Sequence, residues 1–220
     1  MNSHLPIALA VFVLSVTVRA DEQKNPVPWT VGVDVEMVSV SREQGLALIP
    51  LLRDASTFDA AFERLQKIIA DEPAALLAWP LIRTRSGEHC EAENNEGRSY
   101  QDPDGGPGII VTRRLGPELR ASPVVQAAGT SIQVGIVASI GSVRGIRRYP
   151  HGQSPIGFKY VMEVPEFSTL SISATLSVAN GGRLLLGSFL VPSPSPHVVL
   201  FILHATAVRA DFPTPKTSAP

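Results

Sequence analysis

The chain has 220 residues, a formal net charge of −1 and 44 % hydrophobic content, which suits one domain or two very small ones. The near-balanced charge leaves no electrostatic footprint for nucleic acid or an anionic lipid surface, because Arg113–Arg114 and Arg147–Arg148 are pairs and not a patch. Cys90 is the only cysteine, so an internal disulfide is excluded, and no cysteine near residue 20 could carry a lipid anchor. Its expected state is that of a small, partly buried hydrophobe.

Residues 1–20 read as a cleaved secretory signal, in which the apolar run from Leu5 to Val18 ends at Val18–Arg19–Ala20, ahead of Asp21–Glu22. The run is short of the roughly 20 residues that a membrane-spanning helix needs. Residues 21–29 form a lead-in, and a single β-rich domain is expected over 30–210. Val31, Val33, Val35 and Met37 alternate with Gly32, Asp34 and Glu36, which predicts a strand to about Ser41. Pro50 then limits a short helix to 43–49. Phe58, Ala61, Phe62, Leu65, Ile68 and Ile69 follow helical spacing and predict a second helix over 57–71, with Ser56 as N-cap and Pro73 as its stop. Its aromatic residues are read as packing against a sheet.

From Ala75 onward the pattern is nearly all β. A strand from Leu76 to Arg85, a Ser86–Gly87 turn and Glu88 to Glu93 read as a hairpin. A Pro/Gly/Asp loop over Asp102–Gly108 precedes a strand from Ile109 to Val125, a turn at Gly129 and a strand from Ser131 to Val143. The segment Gly145 to Pro155 is read as a long loop, followed by a strand from Phe158 to Val164. Pro165 to Val178 and Gly182 to Val208 then read as three consecutive strands, joined by Asn180–Gly181–Gly182 and Pro192–Ser193–Pro194–Ser195–Pro196. Leu170, Ile172, Ala174, Leu176 and Val178 alternate with Ser171, Ser173, Thr175 and Ser177, giving one face for burial and one face of small hydroxylated side chains. That second face holds no acid, base or metal ligand. The tail 211–220 carries Pro213, Pro215 and Pro220 and is expected to be disordered. The fold class predicted is α+β, mainly β: a twisted antiparallel sheet of long strands with one or two short N-terminal helices.

No catalytic, cofactor-binding or metal-ligating residue is assigned. His89, Cys90 and Glu91 are adjacent, but consecutive strand residues diverge to opposite faces, and the sequence has no Cys-x-x-Cys or His-x-x-x-His partner for them. His204 falls within an apolar strand and reads as a satisfied structural histidine. His151 falls in the expected loop and His197 beside the proline-rich turn. Ser139–Ile140–Gly141 lacks the glycine two residues earlier that a nucleophile elbow needs. Gly105–Gly106–Pro107–Gly108 lacks the lysine and following helix of a phosphate loop. Asp34, Glu36, Glu163 and Glu166 could pair across strands, but solvated strand faces commonly carry such charges, and they are read in that way. No cofactor, nucleic acid or small-molecule substrate is expected.

In this order the strands resemble the C-terminal domain of secretins, the ring-forming outer-membrane channel proteins of type II and III secretion and type IV pilus systems. The likeness is carried by Trp79–Pro80–Leu81–Ile82–Arg83–Thr84–Arg85–Ser86–Gly87–Glu88, by Arg114–Leu115–Gly116–Pro117–Glu118–Leu119 running on to Pro123–Val124–Val125, by Pro165–Glu166–Phe167–Ser168–Thr169 with Val178, Gly181–Gly182 and Leu185–Leu186–Gly187–Ser188, and by the closing strand Val199 to Val208. It implies a β-rich protomer that contributes strands to a shared barrel, so the implied partners are further copies of the chain or proteins of an envelope secretion complex, with outer-membrane association. Two departures stand beside it. Only about ten residues of lead-in separate the signal from the first strand, where secretins carry ring-building domains. The family's insertion before its last strand, with a Pro–x–Leu–Gly–Asp–x–Pro pattern, is replaced by Val191–Pro192–Ser193–Pro194–Ser195–Pro196–His197. The leading expectation is an exported, non-enzymatic secretin-like domain in the periplasm or outer membrane that builds a cell-envelope complex. The alternatives are a monomeric periplasmic or surface binding module without a channel, and a hydrolase using serine, His89 or the acids.

Overall fold

Strand β1, Trp29–Ser41, buries residues on both of its faces over most of its length, and this places it at the centre of the molecule. The computed structural model describes residues 29–102, 109–153, 159–192 and 195–209. The expected signal, the lead-in as far as Pro28, most of the Asp102–Gly108 loop and the tail from Asp211 lie outside the described residues. On one side of β1, the odd-numbered Val31, Val33, Val35 and Met37 enter a core between two sheets; on the other, Val38 and Val40 meet a pair of helices. A register shift between Met37 and Val38 accompanies the change.

The first sheet pairs β1 with β10, His197–Arg209, along their whole lengths. β9, Arg183–Val191, follows on the far side of β10, while β2, Leu76–Ala78, and β3, Leu81–Arg85, pair successive halves of β1. The second sheet runs β4 (Cys90–Glu93), β6 (Ile110–Val125), β7 (Ser131–Gln153), β8 (Lys159–Ala179), and β5 (Glu96–Gln101) pairs the first half of β6. Leu119, Ala121, Ile132, Val134, Ile136, Ala138 and Val178 of this sheet close the core against Phe201, Leu203 and Ala205 of the first. Helices α1, Arg42–Arg53, and α2, Phe58–Asp71, make a third layer through Leu48, Leu52, Phe58, Ala61 and Leu65, packed on Val198, Leu200 and Ile202. The mainly β, α+β class predicted from the sequence is the class observed, with the strands divided between two antiparallel sheets.

Several local expectations are corrected. α1 does not stop at Ile49: it runs through Pro50 to Arg53, because Leu48 and Leu52 are both buried and anchor the turns on either side of the proline. Its start is a capping box between Ser41 and Gln44. The N-cap of α2 is Thr57 and not Ser56, whose hydroxyl bonds the Asp54 carboxylate at 2.7 Å. The strand expected over Leu76 to Arg85 is broken at Trp79–Pro80, as a proline without a donor requires. After the Ser86–Gly87 turn the chain does not return as a hairpin: β4 pairs with β6, so the chain crosses to the other sheet. Gly87 donates to Pro123 O and Ser86 to Trp29 O, which ties the crossing to both layers.

The segment expected as a loop from Gly145 to Pro155 is strand as far as Gln153, paired with β8 and interrupted by shifts around Arg144 and His151. The strands predicted separately over Phe158 to Val164 and Pro165 to Val178 fall, from Lys159 on, in the single β8, while Phe158 lies outside the described residues. Asn180–Gly181–Gly182 has the expected left-handed turn, with Gly181 at φ 79°. It too crosses between the sheets, since β8 pairs with β7 while β9 pairs with β10.

Candidate functional site

Strand β8 pairs with β7 over its length and with no other strand among the described residues, so its second edge is open. From Phe167 to Ala179 that edge contains no proline, no charged side chain and no register shift. At about 3.3 Å per residue this is ~40 Å of unpaired backbone donors and acceptors. Edge strands normally carry charges, prolines or bulges that discourage pairing with another chain. Here these devices are confined to the other half of β8, at Glu163, Pro165 and Glu166.

The alternation in β8 sorts its side chains between core and surface. Leu170, Ile172, Ala174 and Leu176 pack against the sandwich core, while Thr169, Ser171, Ser173, Thr175 and Ser177 are exposed on the outer face of the second sheet. Gly141, Ser139, Val137, Gly135 and Gln133 of β7 lie opposite them. Across β6 the face becomes charged: Arg120 pairs with Glu118 at 2.6 Å and with Glu91 of β4 at 3.0 Å, and Arg114 with Glu93 at 3.3 Å. The outer face therefore grades from hydroxyl groups at the β8 edge to ion pairs at the β4 edge.

Past Val143, β7 and β8 continue as a two-stranded ribbon held on its surface by Arg147–Glu166 and by Arg148–Glu163 at 2.9 Å. Val143, Ile146, Tyr149 and Val161 are exposed on it. The β5–β6 ribbon touches it where the Tyr100 ring lies 5.2 Å from Phe167 and the Arg113 guanidinium 4.8 Å above that ring.

The residues weighed for chemistry separate as strand alternation predicts. Cys90 is partly buried against the core, while His89 is exposed with Nδ1 3.1 Å from Ser122 Oγ. That histidine–serine pair was not legible from the sequence, since a crossing of the chain brings it together. No carboxylate bonds His89 among the described residues, so a group to orient it as a base is absent there. Ser139 lies opposite Ser171, and His197 Nδ1 is 3.4 Å from Ser195 O. The side chain of His151 is outside the described residues. Among the described residues no three His, Cys, Asp or Glu side chains are grouped to hold a metal ion.

His204 does have a partner, Asp34. Its Nδ1 lies 3.0 Å from Asp34 Oδ1, and the Trp79 indole donates to Asp34 Oδ2 at 2.8 Å. Two residues along the same face, Glu36 accepts from the Gln66 side-chain amide at 2.7 Å. Burial pushes the Glu36 carboxyl above its ordinary value; the Gln66 bond and the charges of Arg183 and His204 partly oppose this, and Asp34 reinforces it. The network joins α2 to the first sheet and lies on the side away from the open edge.

Two layers of antiparallel strands, a helical layer and one long unpaired edge define the class of the molecule: a sheet-forming domain with an unfinished side. Among solved structures it is similar to the secretin domain β-barrel of InvG from the Salmonella SPI-1 injectisome, with 14% identity, 87% of this chain and 64% of that chain covered, and a TM-score of 0.43. It is also similar to the type II secretion system secretin GspD of E. coli K12, with 13% identity, 84% and 48% coverage and a TM-score of 0.40. GspD from the ETEC pilotin–secretin AspS–GspD complex gives 10% identity, 84% and 48% coverage and a TM-score of 0.41. The chain thus spans about half to two thirds of the length of these secretin chains. No family model matches the sequence, and no curated protein matches it. These similarities, at 10–14% identity and TM-scores of 0.40–0.43, assign no role to any residue.

Proposed function

We propose that this chain is an exported, non-enzymatic component of a cell-envelope complex that assembles through the second sheet, edge to edge, in the manner of a secretin-like barrel. The observation that carries this reading is the undefended edge of β8 from Phe167 to Ala179. Four antiparallel strands per copy, β4, β6, β7 and β8, allow the β8 of one copy to lie antiparallel to the β4 side of the next, so rotational repetition closes a sheet without breaking its alternation. The hydroxylated and ion-paired outer face is then the polar wall of such a barrel, while the other face remains covered by the first sheet. Native mass spectrometry and electron microscopy of the purified chain in detergent micelles test this: closed rings are expected, and monomer alone would remove the self-assembling reading.

A monomeric envelope-binding module is the second reading. It is favoured by the connection between β9 and β10, whose Val191 and His197 are directly paired. The intervening stretch, Pro192 to Pro196, is too short to form a membrane-crossing hairpin, whose strands need about 9–11 residues each.

A further inference from the structure

The helical layer covers only part of the first sheet. α1 and α2 pack over Val38, Val40, Val198, Leu200 and Ile202 and reach Glu36 through Gln66. The half of the same face that extends toward Trp29 and Arg209 has no covering element among the described residues. Strand alternation places Thr30, Gly32 and Asp34 of β1, Leu81, Arg83 and Arg85 of β3, and His204, Thr206 and Val208 of β10 there in adjacent register.

This half-face combines exposed apolar surface with unpaired positive charge. Trp79 is 59% exposed although its indole is bound to Asp34, Leu81 is 54% exposed and Val208 66%. Arg83 and Arg85 have no carboxylate partner among the described residues, whereas the Arg209 guanidinium lies 5.4 Å over the ring of Trp29, its partner in the register, which packs on the inter-sheet core. Arg183, on the far side, lies over the Phe62 ring. The acids nearby are already engaged, Asp34 by His204 and Trp79 and Glu36 by Gln66. A depression of about 320 Å³ between Thr30, Gly32, Arg83, Thr206, Val208 and Arg209 marks the middle of the patch. It exists because Gly32 has no side chain; a Cβ there would lie 3.0 Å from Thr206 Oγ1.

We propose that this half-face docks an acidic amphipathic helix of a partner protein, completing the helical layer. In this half of the sheet β3, β1 and β10 span ~10 Å between their outer strands, about the ~10–12 Å width of one helix with its side chains. The apolar stripe of the helix fits Trp79, Leu81 and Val208, and its carboxylates meet Arg83 and Arg85, as in other helix-in-groove recognition. The surface lies on the opposite side of the first sheet from the second sheet's free edge, so this docking is independent of edge-to-edge assembly.

The test follows the Trp79 indole N–H resonance of the full chain, assigned with Trp79→Phe. The probe is a stapled helical peptide with Leu at i, i+3, i+4 and i+7 and Glu at the flanking positions. Saturable shifts with a Kd below about 100 μM are expected, with no binding by the Lys-for-Glu peptide. The exposed pair Arg83→Glu and Arg85→Glu should weaken binding roughly tenfold or more, and Leu81→Ser should weaken it with the charges intact. Circular dichroism establishes that each variant is folded. The proposal is overturned by no shift with the Glu peptide, by equal binding of the Lys peptide, or by undiminished affinity in the arginine pair variant. Shifts from phosphatidylglycerol vesicles but not from the peptide would assign the patch to a membrane surface. Binding that appears only after removal of residues 1–28 would assign it to the chain's own lead-in.

Discussion

Asp34 shows how one buried carboxylate can be satisfied by two neighbouring side chains. It is 6% exposed and uses one oxygen for His204 and the other for the Trp79 indole. Asp34→Ala leaves both partners without an acceptor, and hydrogen bonds to a charged group contribute about 1.5–3 kcal/mol each. A loss of roughly 2–3 kcal/mol is expected in urea unfolding at pH 7, allowing for the partial exposure of both partners. Glu36 links stability to pH. Its carboxyl is raised above the ordinary 4.5 in the folded chain, so its contribution to stability is whole below that value and is lost as pH rises through the folded value. Glu36→Gln keeps an acceptor for Gln66 and removes the buried charge. The variant should therefore have a higher urea midpoint than wild type at pH 7, with the gain shrinking toward pH 4. The sequence showed that His204 sits in an apolar strand and needs a partner. It did not show which one, because the β1–β10 register brings together residues 170 positions apart.

Among the elements, alternation was legible and the choice of sheet was not. The buried and hydroxylated faces of β8 follow directly from period-2 patterning, and so does the valine face of β1; the face of Asp34 and Glu36, expected to be solvated, is buried beneath Trp79, His204 and α2. Ser86–Gly87 and Asn180–Gly181–Gly182 carry turn residues that serve equally for a hairpin and for a crossing between layers. What decides is the tertiary partner of each turn. Asn180 donates to Gly129 O at 3.0 Å and to Ala207 O at 2.9 Å, and its Oδ1 accepts from Ala207 N at 2.7 Å. It thereby pins the turn between β6 and β7 of the second sheet to the last strand of the first. Asn180→Ala should cost about 2–3 kcal/mol, as partly buried backbone groups lose their partners, while Asn180→Asp should retain the bond from Ala207 and recover part of it. Thermal unfolding of the two variants measures the difference. Proline was the other misleading signal. At Pro50, burial of Leu48 and Leu52 outweighs the local cost and the helix continues, whereas at Pro80 the strand breaks as the missing donor dictates.

At the scale of the whole molecule, the asymmetry of the second sheet makes assembly sensitive to the sign of added charge. If β8 of one copy lies beside the β4 side of the next, Ser173 and Thr175 share the outer face with Glu91 and Glu93 across the junction. Glutamates at Ser173 and Thr175 would then meet like charges, and lysines would meet opposite ones; cross-strand pairs of this kind contribute about 0.2–1 kcal/mol each. Two such contacts, repeated at every junction of a ring, are enough to shift the monomer–oligomer balance by roughly tenfold or more. The expected order of oligomer in native mass spectra is therefore S173K/T175K at or above wild type, and S173E/T175E well below it, with the difference narrowing at high salt. Equal loss in both variants would mean that the edge meets a neutral or unrelated surface, and no loss in either would mean that β8 does not form the junction. Both positions are exposed and face away from the core, so folding of the single copy is left intact and the measurement reads the edge alone.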